Sequence, residues 1–191
     1  MPKRGMEPIR RAALVKATIA EIGGVGGLDA TVAQIARRAG VSSALALHYF
    51  GSKERIFLAA MRFVLTSYGA EVRAALTGAD SPRARLDAIV SAGFSPTSFQ
   101  RETVNAWLNF YVLAQNSAEA RRLLNIYRRR LHSNLLRELR PLVGERAKEA
   151  AYAIGAMIDG VYLREALGEG TPDGAAATRA VMGHLEKEIA G

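Results

Sequence analysis

The sequence predicts an all-α protein, and two observations carry that prediction. Apolar residues recur at three- and four-residue spacing along most of the 191 residues, whereas no run shows the sustained alternation of a half-buried strand. Glycine, proline and helix-capping residues divide these periodic stretches into nine segments. Together with the chain length, this pattern predicts nine helices in one or two compact domains.

Helix 1 is predicted from about residue 7 to residue 22. Residues at helical spacing would form its inward face: Ile9, Ala13, Ala17 and Ala20. The glycine cluster of residues 23–27 then ends the helix. A dinucleotide-binding loop is excluded, because the cluster follows a helix rather than a strand and Asp29 stands where the last glycine would be needed.

Residues 31–50 predict helices 2 and 3, two short helices around a tight turn. Thr31 and Gln34 have the spacing of a capping box at the start of helix 2, and Gly40 stands where that helix must end. Ser42 can cap helix 3. A short second helix that projects from a packed first one is the geometry that enters a DNA major groove. An ordinary helical hairpin inside a core is the alternative.

The charge distribution favours the DNA-binding interpretation. Residues 1–62 hold ten lysines and arginines against four acidic residues, whereas the other 129 residues hold sixteen against fourteen. Most of the net charge of +8 therefore lies in the third of the chain that contains the hairpin. That pattern is typical of a nucleic-acid-binding module. A basic face that is merely solvated is the alternative.

Six further helices are expected after the hairpin. Ser52 and Ser81 can cap two of them, and Pro82 suits a first helical position. Pro141 is expected to stop the seventh helix at the preceding residue. The predicted ranges of helices 4 to 9 are residues 52–76, 81–92, 99–115, 118–140, 145–167 and 173–189.

Helices 8 and 9 carry more apolar surface than one contact can cover. Helix 8 is apolar over much of its circumference, so neighbours must cover it on several sides. Helix 9 adds a second apolar stripe through Ala176, Ala180, Val181 and Leu185. We therefore expect helices 8 and 9 to form the interface of a homodimer. Burial within a single bundle is the alternative.

Residues 31–57 resemble the DNA-binding domain of the TetR family of repressors. The matching segments are Ile35-Ala36, Ala39-Gly40-Val41-Ser42, Tyr49-Phe50 and Lys53. Other segments are similar to the choline-responsive repressors of glycine-betaine synthesis genes within that family. These segments include Ile9-Arg10-Arg11, His48-Tyr49-Phe50, Ala106-Trp107-Leu108, Arg129-Arg130-Leu131 and Ile158-Asp159-Gly160. The resemblance covers nearly the whole chain.

This resemblance implies a homodimer of TetR-type architecture. Residues 1–53 would form a three-helix, helix-turn-helix DNA-binding domain, and residues 54–191 a ligand-binding and dimerisation domain. The implied partners are a partly palindromic operator in double-stranded DNA and a small effector, choline. The implied role is control of choline-to-glycine-betaine genes under osmotic stress. Two alternatives are a TetR-type regulator of an efflux or other catabolic operon with a different ligand, and a nonspecific nucleoid-type protein.

The expected DNA contacts lie in the hairpin and at the start of helix 4. Hydroxyl and ammonium groups would bind phosphates, whereas His48 and Ser43 are candidates for base edges, helped by apolar contact from Leu45 or Leu47. The complete set is Thr31, Val32, Ser42, Ser43, Ala44, Leu45, Leu47, His48, Tyr49 and Lys53. Ala44 and Leu47 replace a glycine and a tyrosine that are common in the family, so a relative's operator cannot simply be transferred to this chain.

The candidate ligand site combines aromatic rings with one carboxylate. A quaternary ammonium such as that of choline donates no strong hydrogen bond and is held best by aromatic faces. The candidate residues are Trp107, Phe110, Tyr111, Tyr127, Asp159 and Tyr162. An aromatic stripe that belongs to the core is the alternative. Asp159 lies inside an apolar helix and needs a partner, which is either the ligand's cation or an internal arginine such as Arg130 or Arg164.

Catalysis is not expected from this sequence. Its three histidines are scattered, and it has neither a paired-carboxylate arrangement nor a phosphate-binding loop. The absence of cysteine excludes disulfides and thiolate zinc sites, and no cofactor or metal site is predicted. No signal peptide or membrane-spanning run is visible, so a cytoplasmic location is expected.

Overall fold

The computed structural model describes residues 5–24 and 27–190. Lys3 and Arg4 of the basic third, and residues 25 and 26 of the glycine cluster, lie outside the described residues. The described residues form nine α-helices: α1 (Met6–Gly23), α2 (Val32–Arg38), α3 (Ser43–Phe50), α4 (Lys53–Leu76), α5 (Pro82–Gly93), α6 (Arg101–Asn116), α7 (Ala118–Val143), α8 (Ala147–Leu167) and α9 (Gly174–Ala190). No strand occurs in these ranges, and the predicted all-α class is confirmed.

The first four helices share one apolar core. Its centre consists of fully buried side chains, one from each helix: Leu14, Ile35, Ala46 and Ile56. The predicted inward face of α1 is partly wrong, because Ile9 is 62% exposed. The buried stripe of α1 instead begins at Leu14 and continues through Ala17 and Thr18, so the first turn of α1 projects beyond this core.

The predicted end of α7 is also wrong. The helix continues through Pro141 to Val143, where Gly144 ends it with a φ of +60°. A proline this close to the end removes one backbone hydrogen bond near the last turn, where the helix is about to finish. Leu139 is fully buried, and Leu142 and Val143 pack against the core, so apolar contacts stabilise the final turn.

Helix α8 lies among α6, α7 and α9 with one face buried. That face consists of Ala147, Ala150, Ala151, Ile154, Ile158 and Tyr162. The opposite face exposes large apolar side chains, with exposed fractions of 75% for Tyr152, 43% for Leu163 and 71% for Leu167. In α9, Val181 and Leu185 are buried within the chain, whereas Ala180 is exposed. No described helix is both long and apolar enough to cross a membrane.

Helices α1 and α6 pack together through a close backbone contact. The side-chain amide of Asn105 donates to the carbonyl of Gly23 at 2.7 Å, and that of Asn109 donates to the carbonyl of Ile22 at 3.4 Å. A Cβ atom at Gly23 would overlap the backbone of Glu102. Glycine therefore permits this approach, and the two asparagines satisfy carbonyls that the end of a helix leaves without partners.

Candidate functional site

The hairpin of α2 and α3 is fixed by local hydrogen bonds. The predicted capping box is confirmed. The backbone amide of Gln34 donates to Thr31 Oγ1 at 3.2 Å, and the backbone amide of Thr31 donates to Gln34 Oε1 at 2.7 Å. Gly40 has a φ of +68°, and the next amide, that of Val41, donates to the Ala36 carbonyl at 3.0 Å. This glycine conformation turns the chain sharply after α2, so the start of α3 is set by the sequence itself.

Helix α3 is held from beneath and exposed on its outer side. Ala46 is fully buried, which places the backbone of α3 close to the core. Ser42 caps the helix by accepting the Leu45 amide at 3.2 Å. Ala44, Leu47 and His48 are exposed, and Ser43 is half-buried. A helix that packs on one side and is exposed on the other can project from the core, as the second helix of a helix-turn-helix does.

The ten predicted DNA contacts divide evenly by exposure. Thr31, Ser42, Ala44, Leu47 and His48 are exposed, whereas Val32, Ser43, Leu45, Tyr49 and Lys53 are half-buried. Thr31 already donates both its amide and its hydroxyl hydrogen to Gln34, which leaves it the weakest phosphate donor of the set. The Lys53 ammonium lies 5.4 Å from the centre of the Phe57 ring, so its stem is packed at the start of α4.

Two of the basic side chains in this region hold helices together. The Arg11 guanidinium lies 5.0 Å from the ring centre of Tyr49 and 5.1 Å from that of Phe50, which links α1 to α3. Arg38 pairs with Glu21 at 2.5 Å and links α2 to α1. These positive charges still contribute to the field of the basic region, and their contacts also hold α2 and α3 against α1.

The aromatic residues predicted for ligand binding meet around Trp107. Its ring centre lies 4.7 Å from that of Tyr127, 5.7 Å from Tyr111, 5.9 Å from Phe110 and 6.0 Å from Tyr162. These distances are typical of tilted and edge-to-face aromatic pairs. Three helices, α6, α7 and α8, therefore contribute to one aromatic cluster.

Three aromatic residues that are not among the predicted site residues complete this cluster. Tyr68 of α4 lies 6.2 Å from Tyr127, and Phe94 and Phe99 lie 5.8 and 4.9 Å from Tyr162. The cavity between α4, α6, α7 and α8 has a volume of only about 10 Å³ and is lined by Val64, Tyr68, Gly93, Ser98, Trp107, Tyr127, Ile158 and Tyr162. This space holds about one water molecule, so the centre of the cluster is closed. Phe110 does not line it.

Asp159 lies at one edge of the cluster. The Tyr111 hydroxyl donates to Oδ1 of Asp159 at 3.0 Å, and Nε of Arg128 lies 3.5 Å from Oδ2. An internal arginine therefore lies beside Asp159, but it is Arg128 and neither of the two predicted examples, Arg130 and Arg164. Position 128 directly follows the buried Tyr127 and reaches α8, whereas Arg130 lines a groove between α7 and α4. The two residues lie on different sides of α7 because each step along a helix rotates by about 100°.

Burial and charge act together on the titratable groups of the cluster. Burial raises the pKa of Asp159 above its ordinary value, and the Tyr111 hydrogen bond and the Arg128 charge oppose that rise. Burial also raises the pKa values of Tyr68, Tyr111, Tyr127 and Tyr162, and the negative charge of Asp159 raises each of them further. The phenols therefore stay neutral, and their rings and one carboxylate form an environment that attracts a cation.

Open space adjoins the cluster at the Asp159 edge. A groove of about 690 Å³ runs between α6, α7 and α8, and its lining includes Tyr111, Arg128, Asp159 and Leu163. A second groove of about 710 Å³, lined in part by Tyr152 and Gly155, also reaches Arg128 and Asp159. A small ligand can therefore reach the carboxylate without passing through the closed centre of the cluster.

Glu71 of α4 fixes the loop that carries Phe94 and Phe99. Its carboxylate accepts hydrogen bonds from the hydroxyls of Ser95 at 2.6 Å, Thr97 at 2.8 Å and Ser98 at 3.0 Å. The Tyr162 hydroxyl donates to the Gly93 carbonyl at the other end of the same loop. The loop therefore connects the aromatic cluster to α4, the helix that follows the hairpin. A run of hydroxyl residues at 95–98 is the only sequence signal of this contact.

Comparison with known proteins identifies two matching families. Residues 14–60 match the bacterial regulatory proteins of the tetR family, and residues 82–190 match the C-terminal domain of the BetI-type transcriptional repressor. The HTH-type transcriptional regulator BetI of Brucella anthropi is 50% identical over 192 residues, which cover 100% of this chain and 99% of that protein. The BetI regulator of Rhizobium meliloti is 51% identical over 168 residues, which cover 87% and 83% of the two chains.

Solved structures share the fold. A transcriptional regulator from Pseudomonas aeruginosa PAO1 superposes with a TM-score of 0.83 at 26% identity, covering 100% of this chain and 96% of that one. A regulator from Saccharomonospora viridis, solved in complex with choline, superposes with a TM-score of 0.82 at 21% identity, covering 94% and 97%. At that identity the second likeness shows the fold alone. From the family matches and the BetI relatives, this chain is a BetI-type transcriptional repressor of the TetR family and not an enzyme.

Proposed function

We propose that this repressor is a homodimer that binds a partly palindromic operator and releases it when choline occupies the Asp159 edge of the aromatic cluster. TetR-family regulators bind DNA operators and dimerise. The proposal adds the residues, the effector and the genes, which would be those of choline-to-glycine-betaine synthesis or uptake under osmotic stress. Residues 1–53 would form the cytoplasmic repressor's DNA-binding domain and residues 54–191 its ligand-binding and dimerisation domain.

The DNA contacts would come from the outer face of α3 and from the capped start of α4. His48 is exposed and carries ring nitrogens that can meet a base edge, and Leu47, which is 41% exposed, can contact a thymine methyl group. Ser42 and Lys53 would bind phosphates and set the register of α3 in the groove. Base-edge contacts specify sequence and phosphate contacts do not, so the two groups are distinguishable by experiment.

The homodimer interface would use the exposed face of α8 together with α9. Tyr152, Leu163 and Leu167 lie on that face and together expose a large apolar surface. Such a surface is rare on a monomeric protein and usually marks a contact with a partner. We expect Leu163→Arg to place a charge in the interface and convert the dimer to a monomer in light scattering. Phe63→Arg changes a similarly exposed residue on α4 and is the matched control. A dimeric Leu163→Arg variant would contradict this interface.

The observation that carries the choice of effector is the position of Asp159 beside neutral aromatic rings. A quaternary ammonium is stabilised by ring faces at about 0.5–2 kcal/mol each and by one nearby negative charge. The BetI name of the relatives and the choline bound to the Saccharomonospora viridis regulator support the same choice. Phe110 packs against Trp107 away from the cavity, and its proposed role is to support that ring.

A footprint on the DNA upstream of the neighbouring genes tests this function. We expect protection of two symmetry-related half-sites, which is the pattern of a dimeric reader, and loss of protection at millimolar choline. Equimolar potassium chloride is the necessary control, because DNA binding weakens with salt alone. Protection that choline leaves unchanged would favour a TetR-type regulator of another operon with a different ligand. Protection without preferred sites would contradict an operator altogether.

A further inference from the structure

Arg128 makes the two contacts that a quaternary ammonium effector would make. Its Nε lies 3.5 Å from Oδ2 of Asp159, and its guanidinium carbon lies 5.8 Å from the centre of the Tyr111 ring. One contact is with a carboxylate and the other with an aromatic face, and these are the two kinds of group that hold a cation at such a site. In this structure an internal cation therefore occupies the place where a bound cation would be expected.

The contacts of Arg128 are of a kind that a ligand can replace. The shortest distance, 3.5 Å, is long for a charge-assisted hydrogen bond, and the Arg128 side chain is 54% exposed in the single chain. An ion pair with one largely exposed partner contributes little to stability. Asp159 keeps its second contact, because the Tyr111 hydroxyl binds the other oxygen at 3.0 Å. Loss of Arg128 would therefore leave the carboxylate fixed in place.

We infer that Arg128 is a built-in competitor of the effector: its guanidinium occupies the cation subsite of the free repressor, and a bound quaternary ammonium displaces it from Asp159. This inference rests on the proposed function, since it assigns the proposed effector to the Asp159 subsite. It also gives the effector a mechanical consequence. Arg128 belongs to α7 and Asp159 to α8, so binding exchanges a contact between these helices for a contact with the ligand.

A neutral isostere of choline separates this mechanism from a simple packing role. 3,3-Dimethyl-1-butanol has the shape of choline but no charge, so it gains nothing from Asp159 and does not replace a guanidinium there. We expect Arg128→Gln to strengthen choline binding by about three- to fivefold, which corresponds to loss of a competing pair worth up to about 1 kcal/mol. Binding of the isostere should stay within about twofold, and Arg128→Lys should remain close to the natural protein.

The measurement is a titration of Trp107 fluorescence in the full-length dimer at constant ionic strength, which is clean because the chain has one tryptophan. Arg129→Gln is the matched control: it removes the same charge from the neighbouring exposed residue, whose Nε donates to the Asn125 carbonyl at 3.3 Å. Equal gains in both glutamine variants would reveal a long-range charge effect and overturn the inference. So would unchanged or weaker choline binding by Arg128→Gln.

The same titration distinguishes failure of the inference from failure of the proposed function. If the natural protein binds choline with a saturable signal and Arg128→Gln shows no gain, the competitor role is wrong and the choline site stands. If the natural protein gives no saturable signal at millimolar choline, the proposed effector site is wrong and the inference falls with it. A lowered melting temperature of Arg128→Gln together with weaker binding of both ligands would show that Arg128 is a structural strut instead.

Discussion

The helix-turn-helix and the aromatic cluster are built in opposite ways. In the hairpin, the hydrogen bonds that set the ends of the helices join residues three to five positions apart, as in the Thr31–Gln34 box and the Val41–Ala36 contact. In the cluster, Tyr68, Trp107, Tyr127 and Tyr162 come from four helices. A locally fixed unit keeps its shape when the rest of the chain shifts, whereas a unit assembled from distant helices changes when any of them moves. The first arrangement suits constant reading of DNA, and the second suits response to a ligand.

The largest expected effect comes from removing the centre of the cluster. Trp107→Ala deletes a side chain that is 5% exposed and contacts four other rings. We expect a loss of about 3–5 kcal/mol in the free energy of unfolding, as is usual for such truncations. Urea denaturation followed by circular dichroism measures it. A loss below about 1 kcal/mol would show that the cluster is not part of the folding core.

A smaller effect, specific to function, is expected from Lys53→Ala. The variant removes one proposed phosphate contact, so binding to every DNA sequence should weaken and the slope of log affinity against log salt should flatten by about one unit. The natural protein and a His48→Ala variant provide the comparison, because loss of a base contact changes sequence preference and leaves the salt slope nearly unchanged. A slope equal to that of the natural protein would remove Lys53 from the phosphate contacts.

The local unit should respond weakly to loss of a cap. Ser42→Ala removes the acceptor of the Leu45 amide, and we expect a loss of about 1 kcal/mol in stability. The variant should lose more free energy of operator binding than free energy of unfolding, because Ser42 is also a proposed phosphate contact. Ser42→Thr keeps a hydroxyl acceptor and should restore most of the stability. Equal behaviour of the alanine and threonine variants in calorimetry would argue against the cap.

The smallest expected effect is a gain. Burial raises the pKa of Asp159 in the folded protein above its ordinary value, so the unfolded chain ionises first as the pH rises. As the pH rises from the pKa of the unfolded chain to that of the folded protein, the free energy of unfolding therefore falls, and it stays lower at neutral pH. Asp159→Asn should stabilise the fold at pH 7 by less than about 1 kcal/mol, with the gain shrinking as the pH falls, while choline binding is lost. Lower stability at pH 7 would show that the Arg128 and Tyr111 contacts outweigh burial.

The local character of the hairpin explains why the sequence predicts it residue by residue. Thr31, Gln34, Gly40 and Ser42 act on their own neighbours, so their spacing alone fixes the helix ends. The starts of α4 and α5 are predicted for the same reason, because Ser52 and Ser81 cap them. Pro141 is the exception that depends on packing, since apolar contacts of residues downstream extend α7 past it.

The sequence predicts an aromatic site but not all of the residues that form it. Trp107 and Tyr111 share one helix face and indicate an aromatic site, but which side chains of α4 and α7 meet them depends on how those helices are rotated. Tyr68 was recoverable from the stripe that it shares with Met61, Val64 and Val72 on α4. Arg128 was not, because several arginines on α7 have the same chemistry and only tertiary packing selects one.

The contact between Gly23 and α6 bears on how repressors of this kind can be recombined. Protein engineers often join the DNA-reading segment of one regulator to the sensing segment of another. Here the end of α1 is completed by Asn105 and Asn109 of α6, and only a residue without a side chain fits against Glu102. In a chimera joined after residue 53, the end of α1 would meet the α6 helix of a different protein. Transfer of the glycine together with its two asparagines is therefore the smallest exchange that keeps the contact between α1 and α6.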